Sequence, residues 1–219
     1  MLKNCMQAFL LTLWASHTCA KALEAPIPGY GVFVPRWEIT GPDGKNLVLR
    51  GTVEEVAGQL RSMNPDWDHK AATRNLQDRA VFDDKSNTLC HNFREGNRSA
   101  ATLDIDYLRS VPGKPLNGAG PANCGRVSCR NSTGIWWCND VNSPKELTSF
   151  ADIADGASRV LSVCTDKLDA NQGEAMTVSG QAFHPDNWNV VIRGGDDCSN
   201  SGQNISARGL KLSRFFKFL

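Results

Sequence analysis

Apolar residues in this chain follow two rhythms, and the switches between them mark out the elements. Over residues 31–50 they alternate: Val32 and Val34, then Trp37 and Ile39, a Gly41-Pro42-Asp43-Gly44 turn, and Leu47 with Leu49 on the return. Alternation of this kind predicts a hairpin. The rhythm then lengthens. Val53, Val56, Leu60 and Met63 recur at helical spacing, Thr52 with Glu55 forms a capping box, and Asn64-Pro65 stops the helix. Residues 66–89 are polar and weakly patterned, and read as a linker without a Lys-Arg or Arg-Arg cleavage pair.

The later part of the chain repeats helix and hairpin. Ser99 is the expected cap of a helix over 100–109, with Leu103 and Tyr107 on one face and Val111-Pro112-Gly113 as its end. A loop rich in proline and glycine then leads to strands at 125–130 and 135–139, joined by Asn131-Ser132-Thr133-Gly134. A loop of that length sets Cys129 opposite Trp136 and Val127 opposite Cys138 on one face, with Trp137 and Ser128 on the other. Cys129 and Cys138 are therefore expected to bond to different, distant partners. Ser149 opens a third helix with the stripe Phe150, Ile153, Ala154, Ala157, Val160, Leu161 and Cys164, which places a cysteine where it would staple the helix end to a sheet. Residues 176–183 and 188–193 form the last hairpin around His184-Pro185-Asp186-Asn187. The expected fold class is α+β, a two-layer sandwich of two helices on a four-stranded antiparallel sheet. The N-terminal hairpin-helix unit either extends that sheet or stands apart from it.

Lys3, the apolar stretch at 9–15 and the small residues of Ala20-Lys21-Ala22 read as a secretory signal cleaved after Ala22, with Ala20 as the alternative. The stretch is shorter than the roughly 20 residues a bilayer span needs. The expected organisation is a signal peptide at 1–22, the hairpin-helix unit at 23–65, a linker at 66–89, a cysteine-rich α+β domain at 90–198 and a flexible basic tail at 199–219. Of the eight cysteines, Cys5 and Cys19 leave with the signal; Cys90, Cys124, Cys129, Cys138, Cys164 and Cys198 remain. An even set in an exported chain implies disulfides, and leaves the pairing open. Cys124 and Cys129 have no second pair at zinc spacing, so no metal site is expected. Asn97, Asn131 and Asn204 head glycosylation triplets.

Charge narrows the partners. Lys and Arg number 24 against 23 Asp and Glu, and only the tail is basic, through Arg208, Lys211, Arg214 and Lys217. A body without a basic footprint excludes a nucleic-acid partner, and the tail reads as a floppy terminus rather than a membrane-surface peptide or a GPI signal.

Candidate chemistry is thin. Beyond His17 in the leader, the histidines are His69, His91 and His184, and no nucleophile motif accompanies them, so no triad can be built. His184 with Asp186 at a hairpin tip would suit a general base or a metal, but Pro and Asx residues make the same four positions a turn. Asp83-Asp84, Asp104 with Asp106, and Asp196-Asp197 read as solvated loops, because glycoside hydrolysis needs carboxylates held about 5 to 9.5 Å apart in a cleft. The glycine and distal glutamate of a calcium loop are missing, and no cofactor is expected. Trp137, aimed outward by the register above, is the first candidate for stacking on a sugar or filling a partner's pocket; cover by the N-terminal unit or a glycan is the alternative. Trp137, His184 and Asp186 thus form the candidate binding set.

Cys124-Gly125-Arg126-Val127-Ser128-Cys129, Ile135-Trp136-Trp137-Cys138-Asn139-Asp140, Ile153-Ala154-Asp155-Gly156-Ala157, Val178-Ser179-Gly180-Gln181 and Asp186-Asn187-Trp188-Asn189-Val190 resemble a family of small secreted cysteine-rich fungal proteins, mostly uncharacterised, over residues 92–198. Element order and cysteine placement resemble, more loosely, the killer-toxin-four-like and necrosis-inducing effector proteins of fungi. The resemblance implies an α/β sandwich with several disulfides and no known enzymatic activity. The expected function is that of a secreted, non-enzymatic, effector-like or toxin-like binding protein, monomeric and extracellular, whose partner is a protein or glycan outside the cell. A secreted hydrolase acting on cell-wall or host polymers is the alternative, and a structural wall protein the third.

Overall fold

The computed structural model describes residues 23–40, 44–65, 82–83, 85–166 and 176–199. The expected signal, nearly all of the tail, Asn204 and much of the linker lie outside the described residues.

Helices form where the apolar period and a cap coincide. Helix α1 (Val53–Met63) opens with the Glu55 carboxylate accepting the Thr52 backbone N–H at 2.8 Å, buries Val53, Val56, Ala57 and Leu60, and ends at Asn64. Helix α2 (Arg98–Ser110) starts earlier than the pattern predicts, and its cap is Asn97 rather than Ser99. Asn97 Oδ1 accepts from Ala100 N–H at 2.8 Å. Both residue types cap well, but Asn97 ends the short strand β5 (Gly96–Asn97), whose extended backbone puts the cap there. Helix α3 (Phe150–Val163) has the predicted Ser149 cap and buries Phe150, Ile153, Ala154, Ala157 and Val160.

The sheet layout corrects the expectation of four antiparallel strands. The main sheet has six, in the order β1 (Gly31–Phe33), β7 (Asn123–Arg130), β8 (Thr133–Asn139), β12 (Trp188–Gly194), β11 (Gly180–His184), β4 (Thr88–Cys90). β1 lies parallel to β7. A second, four-stranded sheet runs β3 (Asn46–Arg50), β2 (Arg36–Thr40), β6 (Lys114–Asn117), β9 (Lys145–Glu146), and β10 (Thr177–Val178) pairs with β5. β2 and β3 are the predicted N-terminal hairpin, with Trp37 opposite Leu49. The chain just before them does something different: β1 extends the main sheet. β1 and β4 are three residues each, too short to display an alternation. β6 hides behind its proline, which sits opposite Trp37.

The β7–β8 register also differs from expectation. The turn is the pair Asn131-Ser132, both with positive φ (+47° and +56°), a geometry that matches the twist of a hairpin better than a longer loop. Cys129 therefore faces Gly134, not Trp136, and Cys138 faces Cys124, not Val127. A bulge between Arg126 and Ser128 takes up the extra residue. Cys129 and Cys138 do bond to different partners, but only one of them is distant: the bridges are Cys90–Cys164, Cys124–Cys138 and Cys129–Cys198. The first is the predicted staple from the end of α3 to the sheet. Each contributes about 2–4 kcal/mol by restricting the unfolded chain.

Both faces of the main sheet are covered. On one, α2 and α3 pack with α1 over Ile135, Trp137, Val190 and Ile192. The second sheet joins this core where Trp37 stacks on Phe150 with ring centroids 3.4 Å apart. On the other face a smaller cluster of Cys124, Trp136, Cys138 and Val191 lies under Ala25, Ile27, Tyr30 and Phe93. Trp37, Ile39 and Leu49 of the N-terminal hairpin and Val53, Val56 and Leu60 of α1 share the main hydrophobic cluster with the cysteine-rich part.

Candidate functional site

Register decides which loops meet. Gly31 pairs with Asn123, Asn123 with Asn139, Asn139 with Trp188 and Trp188 with His184, so all of these stand at one end of the main sheet. Loops 26–30, 118–122, 140–144 and 185–187 gather beyond them. Backbone hydrogen bonds stitch the loops together: Gly31 N–H to Ala122 O at 2.7 Å, Gly120 N–H to Val141 O at 2.9 Å, and Asp140 N–H to Asn187 O at 3.1 Å. Asn139 Nδ2 donates to Gly118 O and Ser143 O, both at 2.9 Å. The Asp140 carboxylate accepts from the Tyr30 hydroxyl at 3.2 Å and from Asn189 Nδ2 at 2.7 Å. Burial, followed by the Asp140 charge, pushes the Tyr30 phenol above its ordinary pKa. At Gly120 an added Cβ would lie 2.4 Å from Asn139 O, so only glycine allows this approach. Pro28, Pro121, Pro144 and Pro185 fix φ in the loops they occupy.

His184 and Asp186 belong to this end; Trp137 does not. The His184 ring stacks on Trp188 with centroids 4.6 Å apart, and Phe82 meets both rings edge-on. Its Nδ1 accepts the Asp186 backbone N–H at 3.2 Å. Burial pushes its pKa down, against a smaller upward pull from Asp186. Asp186 projects, with 71% of its side chain exposed. Trp137 is fully buried under Phe33 of β1, the ring centroids 6.0 Å apart. The indole does not face outward: of the two readings, cover by the N-terminal unit is the one found, with Phe33 as the covering residue. Asn131 is exposed at the β7–β8 turn, whereas Asn97 is half-buried and engaged as the α2 cap.

A second cluster was missed from the sequence. Glu54 of α1, Asp104 of α2 and Ser128 of β7 converge, and the Ser128 hydroxyl donates to Glu54 Oε1. Arg130 Nε donates to Asp104 Oδ1 at 2.6 Å. Burial first, and the Asp104 charge second, raise the Glu54 pKa; burial also raises that of Asp104, against the pull of Arg130 and Ser128. The expectation that Asp104 and Asp106 are both solvated fails at Asp104, which is fully buried while Asp106 is exposed. Only the polar face of α1 held a signal, since Glu54 follows the apolar Val53 in a first turn that must pack on something.

Among the described residues, three helices, a mixed six-stranded sheet, a four-stranded antiparallel sheet and three bridges define the class: a disulfide-rich protein of helices and sheets together. Among the described residues no helix is long and apolar enough to cross a membrane. No protein-family model matches the chain, and neither a curated protein nor a solved structure matches it.

Proposed function

We propose that the chain is a secreted, non-enzymatic binding protein of effector or toxin type, which contacts an extracellular protein or glycan through the loop end of the main sheet. The observation that carries this reading is the cross-pinning of loops 26–30, 118–122, 140–144 and 185–187 by backbone hydrogen bonds. Loops held in one conformation by a rigid scaffold are where binding surfaces form. The fungal resemblance and the disulfides support action outside the producing cell. Asn131, at the opposite end of the β7–β8 hairpin, would carry a glycan clear of the contact surface.

The test uses glycan arrays and capture from cell-surface extracts. Asp186→Arg combined with Asn142→Arg is expected to weaken capture about tenfold or more, whereas Asp106→Arg on α2 leaves it unchanged. Equal capture by both would remove the loop end from the reading, and no capture on either platform would remove binding itself.

The hydrolase reading has one observation in its favour, the Glu54–Asp104 pair with raised pKa values. Against it, Asp104 is fully buried and paired with Arg130, which is how a structural carboxylate is held. Hydrolysis of a glycan, RNA or peptide that disappears in Glu54→Gln would replace the first reading.

A further inference from the structure

At the end of the main sheet opposite the loop surface, the Cys90–Cys164 bridge draws together two segments whose cysteines are 74 residues apart. His91 follows one cysteine directly, and Asp166 stands two residues beyond the other. His91 Nδ1 lies 3.0 Å from Glu95 Oε1. That oxygen also accepts from the Ser179 hydroxyl at 2.6 Å, and Ser179 O accepts the His91 backbone N–H at 3.1 Å, so the carboxylate and the ring are both held. Asp166 is fixed from its own side by its N–H to Thr177 O, 3.1 Å.

The chemistry of the ring follows from this. An ionised carboxylate only accepts, so the proton of a neutral His91 ring belongs on Nδ1, and Nε2 carries the lone pair. Nε2 points at Asp166 Oδ1, 3.6 Å away. Two electron-pair donors therefore face each other at a separation too long for a hydrogen bond. It is close to the spacing of two ligand atoms that each lie about 2.0–2.2 Å from one zinc ion. A proton, a bridging water or a cation between them turns this repulsion into attraction, and the spacing of the two atoms suits a cation.

We propose that His91 Nε2 and the Asp166 carboxylate form a surface site for a divalent transition cation of zinc type, with Glu95 as the positioning residue. A metal-bound histidine characteristically donates its other N–H to a carboxylate, the arrangement His91 and Glu95 already have. The imidazole donor favours zinc over calcium or magnesium, which take oxygen ligands. Water completes the shell. A cation here ties the chain leaving α3 to the 91–95 turn, beside the disulfide that joins the same two segments, and well away from the proposed contact surface.

Isothermal titration of the oxidised full chain with zinc chloride, at about pH 7.5, tests the site. One-to-one binding is expected, lost in His91→Ala, weakened at least about tenfold in Asp166→Asn, and weakened about 10–100-fold in Glu95→Gln. His184→Ala should leave it unchanged. Because His91 and Asp166 are both about half exposed, neither substitution threatens the core, and melting curves of the variants confirm that they fold. Absence of zinc binding, or affinity retained in His91→Ala, overturns the site and leaves an imidazolium bridge between two carboxylates.

Discussion

Trp137 fills the space between Phe33 and the helix-covered face of the main sheet, and its indole N–H has no acceptor among the described residues. Its value is therefore packing alone. Trp137→Ala is expected to lower stability by about 3–5 kcal/mol, the range for deleting a buried aromatic ring. Trp137→Phe keeps a ring against Phe33 and forfeits no hydrogen bond, so a loss of about 1–2 kcal/mol is expected. Urea unfolding of the two variants checks the pair, and near-equal losses would show that the N–H matters after all. Its neighbour Trp136 serves the other face differently, donating to Asp196 Oδ2 at 2.6 Å with the Arg193 guanidinium 4.9 Å above its ring. The sequence could not tell these two tryptophans apart by polarity. Every residue of β8 is buried, so the polar half of the alternation, which would mark a solvent side, does not exist there.

Helix α1 carries an element-scale test of the same logic. Gly58 lies within it, exposed, with nothing within 4 Å of where a Cβ would stand and no positive φ to protect. Nothing in the packing needs a glycine, whose backbone freedom in the unfolded chain disfavours helix. Gly58→Ala is expected to raise stability by about 0.5–1 kcal/mol, seen as a melting point roughly 1–4 °C higher; a decrease would mean that α1 meets a surface at Gly58. Helix positions were the legible part of the fold because caps and apolar periods mark them, but in α2 the cap moved from Ser99 to Asn97, where a two-residue strand fixes the backbone, and the buried face is Ala101, Ile105 and Leu108 while Leu103 is exposed. Short strands were illegible for the opposite reason. Gly31–Phe33, Thr88–Cys90 and Lys114–Asn117 owe their conformation to partners far along the chain, and a few residues offer no period to read. Of the candidate site, the turn at His184 and Asp186 was legible from its proline and Asx residues. The gathering of loops around it was not, since it depends on strand order and on the bulge that sets the β7–β8 register.

At the scale of the whole molecule, the Glu54, Asp104 and Ser128 cluster is one of the polar contacts that join α1 to α2 and β7, and burial makes that contact sensitive to pH. Both carboxyl groups hold their protons more tightly folded than unfolded. The folded state therefore binds more protons than the unfolded one, and stability falls as pH rises from the ordinary carboxylate range through the raised folded values. His91, raised chiefly by its hydrogen bond to Glu95, acts in the same sense, although its exposure makes its part small. His184 acts in the opposite sense: its pKa is lowered by burial, so what it contributes is lost as pH falls through the imidazole range. The carboxyl groups outweigh it, being the more deeply buried. Melting temperature is thus expected to be higher in mildly acidic than in neutral buffer. Glu54→Gln separates the causes, because the amide keeps an oxygen for the Ser128 hydroxyl and has no charge to set against Asp104. Its melting temperature should lie above that of the parent at neutral pH and change less between the two buffers. A variant as pH-dependent as the parent would move the origin of the effect away from this cluster, and a variant less stable at every pH would mean that Glu54 is ionised and held by the hydroxyl and backbone N–H groups around it.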